Sequence, residues 1–298
     1  MDATQTIAMP TGDLVIYEPL VARVLAPNPS PFTFTGTQTH LVGRTDGSGD
    51  VAVIDPGPDD PAHIEAILRG LGGRPVKAIV ITHTHRDHSP GSRPLKAMTG
   101  APIIGCAPLV LEDLGPRADA AFDRDYAPDR VLADGEQIAG DGWTLTAVAT
   151  PGHTSNHLCY ALEESGALFT GDHVMGWSTT VVAPPDGDMA AYMASLDRLQ
   201  ARADQRYYPA HGEPIDNPQR FVRGLAGHRR QREGQILRTL GDGSSTIPVM
   251  VERMYVGLDA RLMGAAGGSV LAHLIDLRDR GMVVAEGTGA RAMWRLTA

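Results

Sequence analysis

Thr82-His83-Thr84-His85-Arg86-Asp87-His88 follows directly on Val76-Lys77-Ala78-Ile79-Val80-Ile81, and this junction decides how the chain is read. The apolar run is short and almost continuous, as expected of a strand buried on both faces. After it, four side chains able to ligate a metal ion fall within six residues: His83, His85, Asp87 and His88. A loop leaving the C-terminal end of a strand is where α/β sheets place their sites. Alternation lets His83 and His85 point one way while Asp87 and His88 turn toward a neighbouring point. Imidazole nitrogen suits zinc, iron and manganese, and a carboxylate compensates their charge. Packing gives no reason for so dense a set of ligand types.

Three later segments repeat the arrangement. His153 sits in Thr150-Pro151-Gly152-His153-Thr154, after a strand over 144–148. Asp172 sits in Thr170-Gly171-Asp172-His173, after a strand over 167–170. His211 sits in Pro209-Ala210-His211-Gly212-Glu213, after a strand over 205–209. Each is a strand, a tight turn and a metal-capable side chain, and the glycines permit close backbone approach. One such segment alone is weak; four in this order form a specific pattern.

The surrounding chain reads as alternating strands and helices. Strands are expected over 13–17, 21–25, 39–43 and 51–55, with a loop at Asn28-Pro29-Ser30-Pro31 and a hairpin turn at Asp46-Gly47-Ser48-Gly49. Ile64, Ile67, Leu68 and Leu71 have helical spacing behind Asp60 as N-cap and Pro61 in the first turn. A helix over 189–202 places Met189, Tyr192, Met193, Leu196 and Leu199 on one face. After residue 218 the pattern changes to helices over 218–240, 247–255 and 258–280. A hairpin follows, from Met282-Val283-Val284-Ala285 through Gly287-Thr288-Gly289 to Ala292-Met293-Trp294-Arg295-Leu296. Three helices and a two-stranded wing match a winged-helix module. The expected domains are 1–219 and 220–298.

Composition bounds the function. The 298 residues include only two cysteines, Cys106 and Cys159, which excludes a disulfide framework and a thiolate zinc cluster. The net charge of −9 is uneven. From Arg220 onward twelve arginines face seven acidic residues, while the first 219 residues carry fourteen basic against twenty-eight acidic. An acidic body fits divalent cations better than polyanions. The third helix of the tail, around Ser269–Arg280, mixes Asp276 and Asp279 with Arg278 and Arg280, and no aromatic–basic series accompanies it. This favours a packing, homodimerisation or substrate-pocket role over duplex recognition. No apolar run approaches the ~20 residues of a membrane span, and Met1 to Pro10 lacks a basic segment leading into an apolar one. The expected location is cytoplasmic, without membrane association.

The ligand pattern resembles that of the metallo-β-lactamase superfamily: His-x-His-x-Asp-His, a further His, a bridging Asp and a final His. Here these are His83-x-His85-x-Asp87-His88, His153, Asp172 and His211, and the resemblance spans residues 13–215. It implies an αββα sandwich, followed here by the small winged helix. It also implies one metal held by His83, His85 and His153, a second held by Asp87, His88 and His211, and Asp172 between them. The implied cofactors are two divalent ions, Zn2+ first, with Mn2+ or Fe2+ as alternatives. A water shared by two such ions loses a proton near neutral pH and becomes the nucleophile. Asp87 can orient it, so Asp87 and Asp172 are the expected catalytic carboxylates. Asp55 reads either as a group orienting a ligand histidine or as a turn cap before Pro56-Gly57. His157 reads as lying behind the ligands, as touching substrate, or as buried packing. His173 flanks the site, Trp177 reads either as lining the pocket mouth or as an ordinary core or surface tryptophan, and His63, His228 and His273 read as surface or packing residues.

Departures narrow the branch. Flavodiiron proteins carry Glu where His85 stands, and the true β-lactamases of the superfamily lack the bridging Asp. The segment over 28–43 and the winged helix resemble the lactamase-beta-like protein 2 group, which often has Asn and Tyr where Gln38 and His40 stand. The implied activity is hydrolysis of an ester, thioester, lactam or phosphodiester bond in a small-molecule or RNA substrate. An endoribonuclease or nucleic-acid-binding protein of this fold, and a mononuclear iron dioxygenase, are the alternatives.

Overall fold

The computed structural model describes residues 10–109, 122–287 and 292–297. Two sheets face each other. The first has seven strands in chain order: β1 (Leu14–Glu18), β2 (Val21–Leu25), β3 (Gln38–Val42), β4 (Val51–Ile54), β5 (Val76–Ile81), β6 (Ile103–Gly105) and β7 (Arg130–Val131). Strands β1 to β4 form an antiparallel meander, closed between β3 and β4 by the turn at Asp46 to Gly49. Strands β4 to β7 run parallel. Parallel neighbours need crossovers, and α1 (Pro61–Leu71) and α2 (Ser92–Thr99) supply the first two. Asp60 caps α1 as expected, its carboxylate accepting from Ala62 N at 2.9 Å.

The second sheet runs in the order β12-β11-β10-β9-β8, from β8 (Gln137–Gly140), β9 (Trp143–Ala149), β10 (Leu158–Leu162), β11 (Ala167–Gly171) and β12 (Arg206–Pro209). Side-chain alternation sets the layers. Trp143, Leu145, Tyr160, Leu162, Phe169 and Tyr208 enter the core shared with the first sheet. Cys159, Ala161, Leu168 and Tyr207 face the other way, onto Tyr192, Leu196 and Leu199 of α3 (Met189–Gln200). On the far side Ile64, Ile67 and Leu71 of α1 pack on the first sheet. This is an αββα sandwich. The short edge strand β8 has no counterpart in the sequence reading, because only Ile138 of it is buried.

The C-terminal part contains α4 (Pro218–Gly241), α5 (Ile247–Met254), a 3-10 turn (Ala260–Leu262), α6 (Met263–Asp279), and the antiparallel pair β13 (Val283–Glu286) and β14 (Met293–Leu296). Thr288 and Gly289 of the expected wing turn lie outside the described residues. Helix α4 is unbroken over 24 residues. Its first half puts Val222, Leu225 and Ala226 into the α3 layer, and its second half puts Ile236 and Leu240 into a separate core with Met250, Val270, Leu274 and Trp294. One helix therefore belongs to both cores. Helix α6 begins at Met263, inside the expected span of 258–280, whose first residues instead hold the 3-10 turn. It passes so close to the first domain that a Cβ at Gly268 would stand 2.8 Å from Ala183 Cβ. Among the described residues no helix is long and apolar enough to cross a membrane.

Candidate metal centre

The loops after β5, β9, β11 and β12 deliver all seven expected side chains to one place. They form two groups: His83, His85, His153 and Asp172, and Asp87, His88, Asp172 and His211, with the candidate ligand atoms within 4.8 Å of one another in each. His83 Nε2 and His153 Nε2 stand 3.0 and 3.1 Å from His85 Nδ1. His211 Nε2 stands 3.2 Å from both Asp87 Oδ2 and Asp172 Oδ1, and His88 Nε2 3.4 Å from the same two oxygens. Asp172 Oδ2 instead faces His153 Nε2 at 3.7 Å. The two oxygens of one carboxylate thus address different groups.

Four of the histidines are held from behind. His88 Nδ1 donates to Asp55 Oδ2 at 2.9 Å, His153 Nδ1 to Val181 O at 2.6 Å, and His211 Nδ1 to Gly36 O at 3.1 Å. Thr82 Oγ1 gives its proton to Asp55 Oδ2 at 2.7 Å, so it accepts from His83 Nδ1 at 3.0 Å. In the neutral ring, a donor bond at the rear nitrogen leaves the front nitrogen with its lone pair, the form a metal needs. Asp55 also accepts from Thr82 N at 2.9 Å and itself has φ 49°. Its carboxylate anchors the start of the ligand loop and touches a candidate ligand, the contact expected of a group that orients a histidine.

Glycine is required where the backbone turns into the site. Gly171, before Asp172, has φ 49°, and a Cβ there would meet His157 Nε2 at 2.7 Å and Thr82 Oγ1 at 2.8 Å.

Burial and neighbouring charge divide the histidines. Burial pushes His83 well below its ordinary value, and His88, His85 and His153 push the same way. Burial also disfavours a charged His88, but Asp87, Asp172 and Asp55 outweigh it and raise His88 well above its ordinary value. His211 is raised against burial by Asp172 and Asp87. Burial would raise both carboxyls, yet His88 and His211 hold Asp87 and Asp172 below the usual carboxylate range.

These residues fit two divalent cations. His88 Nε2, His211 Nε2 and Asp172 Oδ1 are buried without a hydrogen-bond partner, because their mutual distances are ion-pair contacts lacking hydrogen-bond geometry. Unpaired buried polar atoms are costly. Apart from the 3.7 Å between Asp172 Oδ2 and His153 Nε2, the donor spacings quoted, 3.0 to 3.4 Å, match the edges of a coordination polyhedron with bonds of ~2.0–2.1 Å, which are roughly 2.9–3.4 Å.

A cleft of about 300 Å³ opens over the centre, with His85, Asp87, His153 and Asp172 in its lining. Trp177, stacked on Phe34 at 4.8 Å, lines it as the sequence suggested. The C-terminal part closes the other side through α4, Tyr255, Leu258 and α6. Arg280, just after α6, pairs with Glu233 of α4 at 2.5 Å and with Asp276 at 3.0 Å, and Arg278 pairs with Asp279 at 2.8 Å, so these charges are already paired.

The other histidines fall in different places. His157 is buried beneath the site, its Nε2 accepting from Asp172 N at 3.3 Å, and it does not line the cleft. His173 is buried against Tyr192 at 4.6 Å. His63 and His273 are buried, His63 meeting Thr39 Oγ1 at 2.8 Å. His228 is half-exposed, as a surface residue would be, and with Arg229 and Arg232 it lines the cleft. The sequence displays His228-Arg229-Arg230-Gln231-Arg232 openly, but which face of the helix meets the cleft depends on how α4 docks.

Comparison with known proteins agrees with this geometry. Residues 33–211 match the family described as metallo-beta-lactamase superfamily, and residues 246–294 match the beta-lactamase associated winged helix domain. An atrochrysone carboxyl ACP thioesterase of Cryptosporiopsis sp. is 30% identical over 274 residues, covering 86% of this chain and 78% of that protein. The beta-lactamase-like protein 2 homolog of Caenorhabditis elegans is 35% identical over 222 residues, covering 74% and 70%. The crystal structure of a beta-lactamase domain protein from Burkholderia ambifaria superposes with a TM-score of 0.76 at 23% identity, covering 99% of this chain and 96% of that one, which speaks for the fold. The chain belongs to the metallo-β-lactamase superfamily of hydrolases and carries the winged helix domain associated with it.

Proposed function

We propose that this protein is a two-metal thioester hydrolase. The observation that carries the two-metal part is Asp172, whose separate carboxylate oxygens face two histidine-containing groups. What supports the thioester is the ACP thioesterase among the relatives, together with a cleft whose lining includes Met175, Trp177, Leu258, Leu262, Ala265 and Ala266. Apolar walls suit an acyl chain better than the backbone of a nucleic acid. Zinc is the proposed metal, since the donors are imidazole nitrogens and carboxylates.

Bound divalent ions would supply Lewis acidity and ionise a water near neutral pH. The protein's own groups do the rest. His83, His85 and His153 would hold one ion and Asp87, His88 and His211 the other, with Asp172 available to both groups. Asp87, half-buried at the cleft floor, accepts a hydrogen bond from the attacking water and orients it. The acyl carbon gains oxygen from water and the C–S bond breaks. The thiolate takes up a proton, and the acid leaves as its carboxylate. No side chain becomes covalently attached.

The test is a panel of acyl thioester, ester, lactone, β-lactam and RNA substrates, each assayed with Asp172→Ala as the blank. Thioester hydrolysis present in the wild type and absent in the variant supports the reading. RNA cleavage without thioester hydrolysis overturns it.

A further inference from the structure

This inference rests on the thioesterase reading and concerns what the substrate carries besides the bond to be cut. Arg229 and Arg232 lie three residues apart on α4, hence on one face, and both line the cleft over the metal centre. Arg229 is only 3% exposed. Its Nη2 donates to Thr180 O, and its guanidinium lies over the Tyr192 ring at 5.1 Å. Arg232 lies over the Tyr255 ring at 4.3 Å, and its Nη1 donates to Gln235 Oε1 and Met254 O. The Nε of each is buried without a partner. Neither pairs with a carboxylate among the described residues, whereas the intervening Arg230 faces Asp197 at 3.9 Å.

Two guanidinium groups lining one cleft without a counter-charge cost desolvation, which a fold tolerates where a ligand supplies the missing anion. Their field is felt locally: burial, then Arg229 and Arg232, push His228 below its ordinary value. Arg229 is also close to the chemistry. Thr180, whose carbonyl it holds, puts its Oγ1 3.2 Å from His153 Nδ1. The cleft therefore joins three chemistries: a metal-binding floor, apolar walls, and a cationic flank.

We propose that Arg229 and Arg232 form an anion subsite, receiving a carboxylate or phosphate carried by the acyl thioester whose carbonyl lies at the metal centre. A planar guanidinium offers paired donors that match either anion. The anion can sit on the acyl group or on the thiol, and the assay separates the two. Hexanedioyl N-acetylcysteamine thioester is compared with its methyl ester, and hexanoyl phosphopantetheine with hexanoyl pantetheine.

The wild type is expected to prefer one charged member over its neutral counterpart by about tenfold or more in kcat/KM, expressed in KM. Arg232→Gln is expected to bring that ratio close to one, and Arg232→Lys to restore part of it. A purely structural role for Arg232 would lower both members of a pair and leave the ratio intact. Equal turnover of charged and neutral members, or a preference that survives Arg232→Gln, overturns the subsite. Hexyl phosphate binding, read by calorimetry on the metal-loaded protein, is independent of turnover. A loss of about tenfold in Arg232→Gln supports the subsite, and equal binding overturns it. If none of the four thioesters is hydrolysed, the thioesterase reading fails by itself, and the calorimetry still decides the subsite.

Discussion

Asp55 Oδ2 accepts a hydrogen bond from His88 Nδ1 at 2.9 Å, and the same carboxylate receives the backbone N–H and the hydroxyl of Thr82. One side chain thus fixes both where the ligand loop starts and which nitrogen His88 turns to the site. Asp55→Asn keeps the size, and Asn tolerates the left-handed backbone found there. It loses the charge that favours the Nδ1–H form of His88. Metal affinity is expected to fall about 10–100-fold with the fold retained, as measured by chelator competition and circular dichroism.

Asp172→Ala and His88→Ala each remove a donor from the second group, and Asp172→Ala also one from the first. Both are expected to abolish turnover with the fold kept, and to lower bound metal from two equivalents per chain in elemental analysis. Full activity in both variants contradicts the two-metal mechanism. One equivalent of iron without zinc in the wild type would instead support the mononuclear dioxygenase alternative.

Metal uptake is expected to release protons. Against burial, Asp87 and Asp172 raise His88 and His211 above their ordinary values, so these imidazoles keep a second proton to higher pH than a free one, and a cation must displace it. Affinity therefore rises with pH until both are neutral, and falls in acid. Titration calorimetry in two buffers of different ionisation enthalpy reads the proton count; a count of zero near neutral pH contradicts the assignment.

Away from the metals, three buried histidines make stability fall in acid. Burial lowers His40 to about 3, with Arg23 adding to it, lowers His63 to about 4, and lowers His273 to about 3, from an ordinary 6.5. The unfolded chain binds protons at these positions below about pH 6.5 and the folded chain does not. Stability is thus fully present above pH 6.5 and is lost as pH drops toward 4. Each group contributes up to about 2 kcal/mol between pH 6.5 and 5. Denaturant unfolding at the two pH values checks the slope.

Gly171→Ala places a Cβ 2.7 Å from His157 Nε2 on a backbone with φ 49°. A loss of about 1–3 kcal/mol is expected, together with weaker metal binding, because Asp172 is the next residue. Gly72→Ala, also at positive φ but with open space around its Cβ, separates backbone strain from collision.

The metal-binding pattern was legible because it is local. His83, His85, Asp87 and His88 share one loop, and each remaining candidate follows a strand whose apolar character is plain. Asp60 before Pro61 announced the start of α1 for the same reason: a cap acts on the turn beside it. The edge strand β8 was not legible, since an edge leaves most of its side chains in solvent and so lacks an apolar signature.

The sequence by itself determined which side chains could bind metal, that they follow strands, and that a separate helical module comes after them. Tertiary structure alone decided which oxygen of Asp172 faces which group, that His157 lies beneath the site, and that His228, Arg229 and Arg232 line the cleft. The physical reason is range. Capping, alternation and ligand spacing act over a few residues and leave a mark on the chain. The rotation of α4 about its own axis is set by two cores at once, one shared with α3 and the other with α5 and α6, and no short stretch of sequence carries that sum.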